Sequence, residues 1–453
     1  MIRTKWAVVV PVVFSVLVTT TQNSYSAGFA IIEQSVSGLG NAFAGGSAST
    51  NDASAMYFNP ATMMQLEGKP LNFGLHAISP SVKFTNNGST KNPNIGGFST
   101  GGNGGDAGVT AVVPNFYFAM EVDENTKFGI GINAPFGLAT RYEDGWVGRY
   151  QSVDSEIQTV NINPALAFNM TPSLSFGVGF SVQYINAELT NAIDIGTICA
   201  GLVTTPPSDC TGLIPGDVGS DGYSKVTGDS WSMGYNLGFL YAVDKNTNIS
   251  AAYRSKVKQS LGGDADFTLP QQVSDNQIQA LQVFFADTGV SANVTLPETA
   301  SFSGSHKINE KWKIMADVTF TKWSRFSELV LEFENPNKPA TTEENHWEDS
   351  MRLSVGADWI VMPALTLRTG LAYDEGASQD KIYRSPRVPD SDRTWLAFGL
   401  TYELNKRASL DAGYAHLFIS NSDIERTGST GDTLIGSYES SVDILSVAFN
   451  WVF

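Results

Sequence analysis

The chain has 453 residues, of which 42% are hydrophobic and 16% are charged, and its formal net charge is −17. The charged fraction lies well below the roughly 25% of ordinary soluble domains, and this acidic balance argues against nucleic acid as a partner. The mean hydropathy of −0.08 is still compatible with a transmembrane β-barrel, because outward apolar and inward polar residues cancel in the average.

The N-terminus has the composition of a secretory signal. Two basic residues precede an apolar run over residues 6–18, and the small residues Ser24 and Ser26 stand just before Ala27. We therefore predict a signal peptide over residues 1–26 that is cleaved before Ala27. An uncleaved anchor is the alternative, but the run is too short to span a bilayer as a helix. No later run reaches the length of a membrane helix, which excludes a helical membrane protein.

Most of the remaining chain alternates apolar and polar residues with period 2. In residues 174–184, for example, every second residue is apolar and those between are small or polar. Since successive strand side chains point to opposite faces, this pattern predicts strands with one apolar face. Fourteen strands are predicted near residues 71–84, 110–123, 126–138, 153–170, 173–191, 225–243, 246–261, 291–308, 311–333, 346–361, 364–376, 390–404, 408–420 and 439–453.

The connections between these strands alternate between short turns and long loops, as in 124–125 against 85–109, 192–224 and 262–290. This asymmetry is typical of outer-membrane barrels. The chain also ends on alternating apolar residues and the aromatic Phe453, which resembles the signal that the outer-membrane assembly machinery reads. We predict an all-β, 14-stranded antiparallel transmembrane β-barrel, monomeric, in the outer membrane of a Gram-negative bacterium and in contact with its lipid and lipopolysaccharide.

The stretch from Ala27 to about residue 68 lacks any sustained period and is rich in Gly, Ala, Ser and Asn. Such a segment cannot bury enough apolar surface to fold by itself. A 14-stranded lumen is too wide for side chains alone to fill, so this segment is expected to plug it. The predicted domains are the signal peptide (1–26), an N-terminal hatch (27–68) and the barrel (69–453).

Two cysteines, Cys199 and Cys210, lie in a Pro- and Gly-rich loop. An exported chain meets an oxidising compartment, which favours a disulfide between them over two free thiols. The four histidines have no metal-ligand spacing, and we expect no metal and no cofactor.

Several short motifs, in order along the chain, resemble those of FadL-type long-chain fatty-acid transporters of Gram-negative outer membranes. They are Ala27-Gly28-Phe29, Ser37-Gly38-Leu39-Gly40-Asn41-Ala42, Asn59-Pro60-Ala61, the segments 133–138, 144–150 and 253–258, Leu296-Pro297-Glu298, and the segments 321–324 and 389–393. The resemblance implies a barrel with an N-terminal hatch, a ligand pocket in the lumen, and a lateral opening in the third strand.

By this resemblance, Gly28 and Phe29 would form the gate, and Phe29 would touch the ligand; the alternative is a frayed terminus. Asn59, Pro60 and Ala61 would fix the hatch before the first strand.

The third strand contains Asn133, Pro135, Phe136 and Gly137. Pro135 lacks a backbone donor and cannot complete a strand ladder. The resemblance implies a kink there through which ligand leaves sideways. The alternative is that Pro135 only ends the strand at the outer rim.

In the loop 262–290, Ser274 could cap a short amphipathic helix. The resemblance implies an outer capture groove for acyl chains in these loops, which the apolar residues of the helix would form. The alternative is that these residues pack against neighbouring loops. These residues are Ile278, Leu281, Phe284 and Phe285.

A fatty acid carries a carboxylate, so cations in the lumen are candidate ligand contacts. Strand parity predicts an inward position for several of them, and a cation on the lipid face would cost about 2–4 kcal/mol at the midplane. The alternative is that they pair with lumen or hatch acids. The candidates are Arg254, Lys256, Lys258, Arg352, Arg368 and Arg393.

These features predict a passive uptake channel for long-chain fatty acids rather than an enzyme. A channel for aromatic hydrocarbons and a structural barrel without transport are the alternatives. A barrel phospholipase would need a serine–histidine pair, and neither His306 nor His416 lies in a serine nucleophile motif.

Overall fold

The structure is a computed structural model and describes residues 28–202 and 210–453. The predicted signal peptide and its cleavage site before Ala27 lie outside the described residues. Within the described ranges, no helix combines the length and the apolar character that crossing a membrane requires.

Twenty antiparallel segments build the wall of the molecule. They are β1 (Pro70–Asn86), β2 (Ala111–Asp123), β3 (Thr126–Asn133), β4 (Gly137–Arg141), β5 (Asp154–Thr171), β6 (Leu174–Ile193), β7 (Gly222–Ala242), β8 (Thr247–Arg254), β9 (Val257–Thr268), β10 (Thr288–Leu296), β11 (Thr299–Lys307), β12 (Trp312–Thr321), β13 (Glu328–Phe333), β14 (Thr341–Glu344), β15 (Ser350–Met362), β16 (Leu365–Asp374), β17 (Arg393–Asn405), β18 (Ala408–Ile419), β19 (Ser422–Thr427) and β20 (Thr433–Val452). Several wall strands are divided into two segments, so that the segments form a 14-stranded barrel. β20 pairs with β1 along its length and closes the sheet. The predicted 14-stranded barrel is confirmed.

The period-2 pattern places apolar side chains on the outer surface. In β6, Val178 and Phe180 point outward and are exposed, whereas Ser181 and Gln183 farther along the strand are buried on the inner face. The same alternation recurs in β17 and β20. The barrel therefore presents an apolar surface to lipid.

A break in the seventh strand corrects one orientation predicted above. β8 ends at Arg254 and β9 begins at Val257, and the intervening residues shift the inward-outward alternation by one position. A one-residue shift moves every later side chain to the other face. Val257 is therefore buried and Lys258 is exposed on the outside, so the inward prediction for Lys258 is wrong. Lys256 lies within the break and is half-buried.

The outer loops are stabilised by their own small core. The helix Ile195–Leu202 contains Cys199, which forms a disulfide with Cys210. The Cα atoms of the two cysteines are 6.0 Å apart. The loop after β9 contains two short helices, Gln271–Asp275 and Gln279–Phe284. The single helix predicted from Ser274 is wrong, because the left-handed φ of 52° at Gln277 ends the first helix.

The hatch lies against the inner wall. Its first helix, Val36–Leu39, is capped by the Ser35 hydroxyl, which accepts from Gly38 N over 2.9 Å. A second helix, Ala55–Phe58, precedes a 3-10 helix over Pro60–Gln65.

Asn59 joins the hatch to the wall. Its side-chain amide donates to Ser47 O (2.8 Å) in the hatch and to Phe239 O (3.0 Å) in β7, while its Oδ1 accepts from Ala61 N (2.9 Å). The side chain of Asn59 is fully buried. A Cβ added at Gly238 in β7 would collide with Asn59, so this glycine permits the close approach.

Candidate functional site

The first hatch residues are hydrogen-bonded to a break in the barrel wall. Ile31 N donates to Pro135 O over 2.9 Å, and Gly137 N donates to Phe29 O over 3.0 Å. Between them, Ala30 and Phe136 form an isolated antiparallel bridge. The N-terminal residues thus act as a short inner strand for the wall segment that follows β3.

The break itself is a bulge. Asn133 pairs with Asn161 and Gly137 pairs with Gln158, so three residues of the third strand stand opposite two of β5. Such a bulge bends a strand and interrupts its ladder. On the other side, the ladder between β2 and β3 ends at Phe116 and Ile132, although β2 begins at Ala111. The wall is therefore interrupted between the second and third strands, where Phe29 and Ile31 pair with it.

Side chains reinforce this contact. Gln34 is fully buried, and its amide nitrogen donates to Ala134 O over 2.8 Å and to Ile31 O over 2.9 Å. The hydroxyl of Thr159 in β5 accepts from Phe136 N (3.0 Å) and donates to Phe136 O (2.6 Å). Both contacts satisfy backbone groups that the bulge removes from the ladder.

A charged pair clamps the start of the hatch. Asp390 Oδ2 accepts from Gly28 N over 3.0 Å, and Asp390 Oδ1 accepts from Arg393 Nη2 over 2.8 Å. Arg393 Nη2 also donates to Gly28 O over 3.1 Å. Both backbone groups of Gly28 are thereby hydrogen-bonded to this pair.

Phe29 lies at the centre of an aromatic cluster and is 4% exposed. Its ring centre lies 5.0 Å from that of Trp323, 5.6 Å from Phe326, 5.7 Å from Trp347 and 6.0 Å from Phe136. These separations are typical of favourable aromatic pairs. The cluster connects the hatch to three separate parts of the wall and loops.

Phe29 also lines an apolar pocket with a cavity volume of about 90 Å³. The pocket is lined by residues of β4 to β7, β9, β10, β13 and β14 and by the loop before β17. Examples of its apolar lining residues are Leu138, Ile157, Ile185, Leu189, Leu261 and Leu329. The lining is predominantly apolar, as in sites that take hydrophobic ligands.

Two charged residues, Glu343 and Arg387, line the same pocket. Ser385 Oγ donates to Glu343 over 2.6 Å, and Arg426 Nη2 lies 3.5 Å from its carboxylate. Arg387 Nη1 donates to Ser155 Oγ over 2.9 Å, whereas its Nε lies 3.4 Å from Glu343 without forming a hydrogen bond among the described residues. Neither residue stood out in the sequence. The loop around Arg387 has no strand parity that would assign the direction of its side chain, and Glu343 lies in a strand of only four residues.

The lumen arginines predicted from parity contact the hatch instead of the pocket lining. Arg254 donates to Tyr57 O over 2.7 Å and lies over the Tyr57 ring at 4.3 Å. Arg352 donates to Ala42 O over 2.8 Å. Arg368 lies 3.6 Å from Asp358. The alternative weighed above, pairing with a lumen acid, describes Arg368, whereas Arg254 and Arg352 bond to backbone carbonyls of the hatch.

The predicted capture groove is mostly covered. Ile278, Leu281 and Phe285 are buried against Ile195 and neighbouring loop residues, and Phe284 is half-buried. Packing between loops, the alternative weighed above, therefore describes the first three residues.

A serine–histidine contact that the sequence did not reveal lies in the inner wall. His76 Nδ1 lies 2.7 Å from Ser446 Oγ, and its Nε2 lies 2.7 Å from Asn115 Nδ2. All three side chains are buried, and none of them lines the pocket described above. The contact joins three neighbouring wall strands and gives a substrate no visible access.

A closed apolar-surfaced barrel, a hatch in its lumen and a pocket under the hatch's first residues define an outer-membrane transport barrel. Residues 16–453 match the family model described as outer membrane protein transport protein (OMPP1/FadL/TodX), and the chain belongs to this family. Among curated relatives, the long-chain fatty acid transport protein of Escherichia coli K12 is 30% identical over 418 residues, covering 89% of this chain and 90% of the relative. Outer membrane protein P1 of Haemophilus influenzae is 30% identical and covers 86% of each chain.

Solved structures share the fold. A Pseudomonas aeruginosa FadL homologue superposes with a TM-score of 0.86 at 23% identity, covering 94% of this chain and all of that chain. The Pseudomonas putida toluene transporter TodX superposes with a TM-score of 0.67 at 18% identity, covering 96% and 100%. The protein is therefore an outer-membrane transporter of the FadL family.

Proposed function

We propose that the protein is a passive channel that takes up long-chain fatty acids across the outer membrane. The observation that carries this proposal is the apolar pocket whose wall includes Phe29, a residue of the hatch's first turn. A ligand in that pocket competes for space with the residue that closes it. If the ligand binds more tightly when the hatch is released than when it is docked, its binding shifts the hatch toward the released conformation.

Release of the hatch start would open the way out. Phe29 and Ile31 are hydrogen-bonded to the wall break at Pro135 and Gly137. When these residues leave, the bulge loses its inner partner and an acyl chain can pass between the second and third strands. In a passive channel, net flux would follow consumption of the ligand inside the cell.

The carboxylate end of the ligand is assigned to the polar side of the pocket. Arg387 lines it, and its Nε lies 3.4 Å from the Glu343 carboxylate, with which a ligand carboxylate would compete. A charge-assisted hydrogen bond there would orient a fatty acid, with its chain along the apolar walls.

Uptake of labelled oleate by cells that lack their own transporter tests the proposal. Full-length protein should restore uptake, and deletion of residues 28–34 should change its rate severalfold. The same variants should be checked for insertion by heat-modifiable gel migration. Unchanged uptake with the deletion, or no uptake with the full chain, would leave a structural barrel as the better description.

Aromatic hydrocarbons are the second candidate ligand. Five aromatic rings meet at Phe29, and their faces can stack on a flat ring. Such ligands lack a carboxylate, so Arg387→Gln should leave toluene uptake unchanged while it weakens oleate uptake. If the variant keeps full oleate uptake, the carboxylate assignment is wrong.

A further inference from the structure

Four neighbouring strands of the wall are interrupted at one level. The ladders that join β8, β11, β12 and β15 end in a single row of paired residues, Arg254, Thr299, Thr321 and Ser350. Directly above this row lie breaks over residues 255–256, 297–298, 322–327 and 345–349, before β9, β10, β13 and β14 continue the wall. We call this row of breaks the wall seam. Its inner side carries Trp323 and Trp347, which pack on Phe29, and its outer side carries charged residues.

The outer side of the wall seam has more cations than carboxylates. Arg325 Nη2 lies 2.6 Å from Glu298 Oε1, and Lys322 Nζ lies 3.2 Å from Asp349 Oδ2. Lys256 is close enough to act electrostatically on Glu298. In a chain whose formal net charge is −17, such a local excess of positive charge marks a surface that attracts an anion.

Two lysines of this surface are left without a bound acid. Among the described residues, the ammonium groups of Lys256 and Lys258 have no carboxylate within 4.0 Å and no hydrogen-bond partner. The shift at the seam turns the side chain of Lys258 outward, onto the surface that faces lipid. A cation there is costly at the membrane midplane and costs little at the interface. The N–H donors of both lysines are therefore available to a lipid head group.

The wall seam lies at the outer edge of the apolar band. A strand rises about 3.3 Å per residue and tilts by about 40°, so Lys258 stands roughly 25–30 Å above Thr247, where β8 leaves its short turn. The apolar band of such barrels is about 25 Å tall, and their longer loops are extracellular. Just below the seam, the outward rings of Tyr235 and Tyr253 lie 6.0 Å apart, as expected of an interfacial aromatic girdle. The two lysines therefore lie at the head-group level of the outer leaflet.

We propose that the outer side of the wall seam binds the lipopolysaccharide of the outer leaflet through a phosphate of its lipid A. Lys256 and Lys258 donate charge-assisted hydrogen bonds to the phosphate. The acyl chains lie on the apolar wall below, at Tyr253. The sugar faces the polar strip above, where Ser260 Oγ donates to Asn293 Oδ1 over 2.8 Å on the outer face.

Charge complementarity decides between this occupant and a second copy of the chain. A symmetric contact between two copies would place the same cations against one another, whereas a phosphorylated glycolipid neutralises them. The inference concerns the outer surface of the wall, and it does not depend on which ligand the channel carries.

Native mass spectrometry of the full chain in a neutral detergent, titrated with bis-phosphorylated lipid A, tests the inference. The double variant Lys256→Gln with Lys258→Gln should weaken binding about 25-fold, since each lysine near an anionic head group contributes about fivefold. Lys311→Gln with Lys406→Gln removes the same charge from exposed positions in short turns and should leave the affinity unchanged. Heat-modifiable gel migration checks that every variant is folded.

Lipid A without its phosphates should bind the unaltered chain as weakly as phosphorylated lipid A binds the double variant. Lys256→Arg with Lys258→Arg should retain the affinity. Unchanged affinity in the glutamine variant would overturn the inference. Equal affinity for dephosphorylated lipid A would overturn it in favour of an acyl-chain groove, and equal affinity for phosphatidylglycerol would overturn it in favour of a general anion surface. Because the readout is lipid binding and not uptake, each result is independent of the proposed function.

Discussion

The backbone N–H of Gly28 and the carboxylate of Asp390 are hydrogen-bonded over 3.0 Å, although 362 positions separate them in the sequence. The bond ties the start of the hatch to the loop before β17. Since the same carboxylate holds Arg393, it sets the position of both groups that contact Gly28.

Asp390→Asn should loosen the hatch start. The substitution keeps the shape and removes a charge-assisted bond worth about 1.5–3 kcal/mol. Hydrogen exchange of residues 28–34, measured by mass spectrometry, should therefore accelerate about tenfold or more. Asp380→Asn, in the same loop but exposed, is the matched control. Equal exchange in both variants would show that Asp390 does not hold the hatch.

Gly28→Ala should displace the gate by two effects. Gly28 has a φ of 54°, and a Cβ there would lie 2.7 Å from Trp323 and 2.8 Å from Trp347. The left-handed backbone alone costs about 1–2 kcal/mol for alanine, and the ring contacts add to this. Gly88→Ala is the control, because its φ is 107° and nothing lies within 4 Å. Faster exchange of residues 28–34 and changed oleate uptake are expected only at position 28; a silent Gly28→Ala would contradict the packing.

Gln34→Leu should weaken the contact between hatch and wall break. It leaves the carbonyls of Ala134 and Ile31 without their side-chain donor, at about 1–3 kcal/mol per buried unsatisfied group. Exchange at residues 28–34 should rise, and uptake should change with it. Gln65→Leu, at an exposed hatch glutamine, should do neither. If both variants behave alike, the amide of Gln34 is dispensable.

Docking of the hatch start should depend on pH through Glu33. Burial raises the pKa of Glu33 from 4.5 to about 7 in the docked hatch; Arg393 and Arg352 oppose this shift, and Asp374 adds to it. A released, solvated Glu33 would titrate near its ordinary value. The docked state therefore retains a proton that the released state loses between about pH 4.5 and 7, and docking weakens as pH rises through that window.

Hydrogen exchange of residues 28–34, corrected for its intrinsic pH dependence, checks this expectation. Protection should fall from pH 5 to pH 7 and stay level above pH 8. In Glu33→Gln it should be constant across the range. A pH dependence that persists in this variant would assign the effect to another group.

The barrel could be predicted from the sequence because its signal is repeated many times. Each strand has its own alternation of apolar and polar residues, and the alternation of short turns and long loops agrees with it. A local irregularity therefore changes the predicted barrel little. The same rule fails where one irregularity decides the answer. Two residues at the break after Arg254 turned Lys258 outward, and Gln277 divided one predicted helix into two.

The site was harder to predict because distant segments build it. Phe29 could be named from its position after the predicted signal and from family resemblance. Trp347 and Arg387 come from loops or loop-like segments without periodicity, and Asp390 meets Gly28 only in the folded barrel. Parity indicated the inward direction of Arg254 and Arg352, but their partners in the hatch depend on how an aperiodic segment folds.

The pairing of the hatch start with the wall break also bears on the permeability barrier of the cell. If Phe29 and Ile31 withdraw, Pro135 O and Gly137 N lose their partners in the wall break. A backbone group that is left unsatisfied away from water costs several kcal/mol. We therefore expect an opening that reseals as soon as the ligand has left, so that detergents and hydrophobic antibiotics would gain entry mainly in cells whose channels are saturated with substrate.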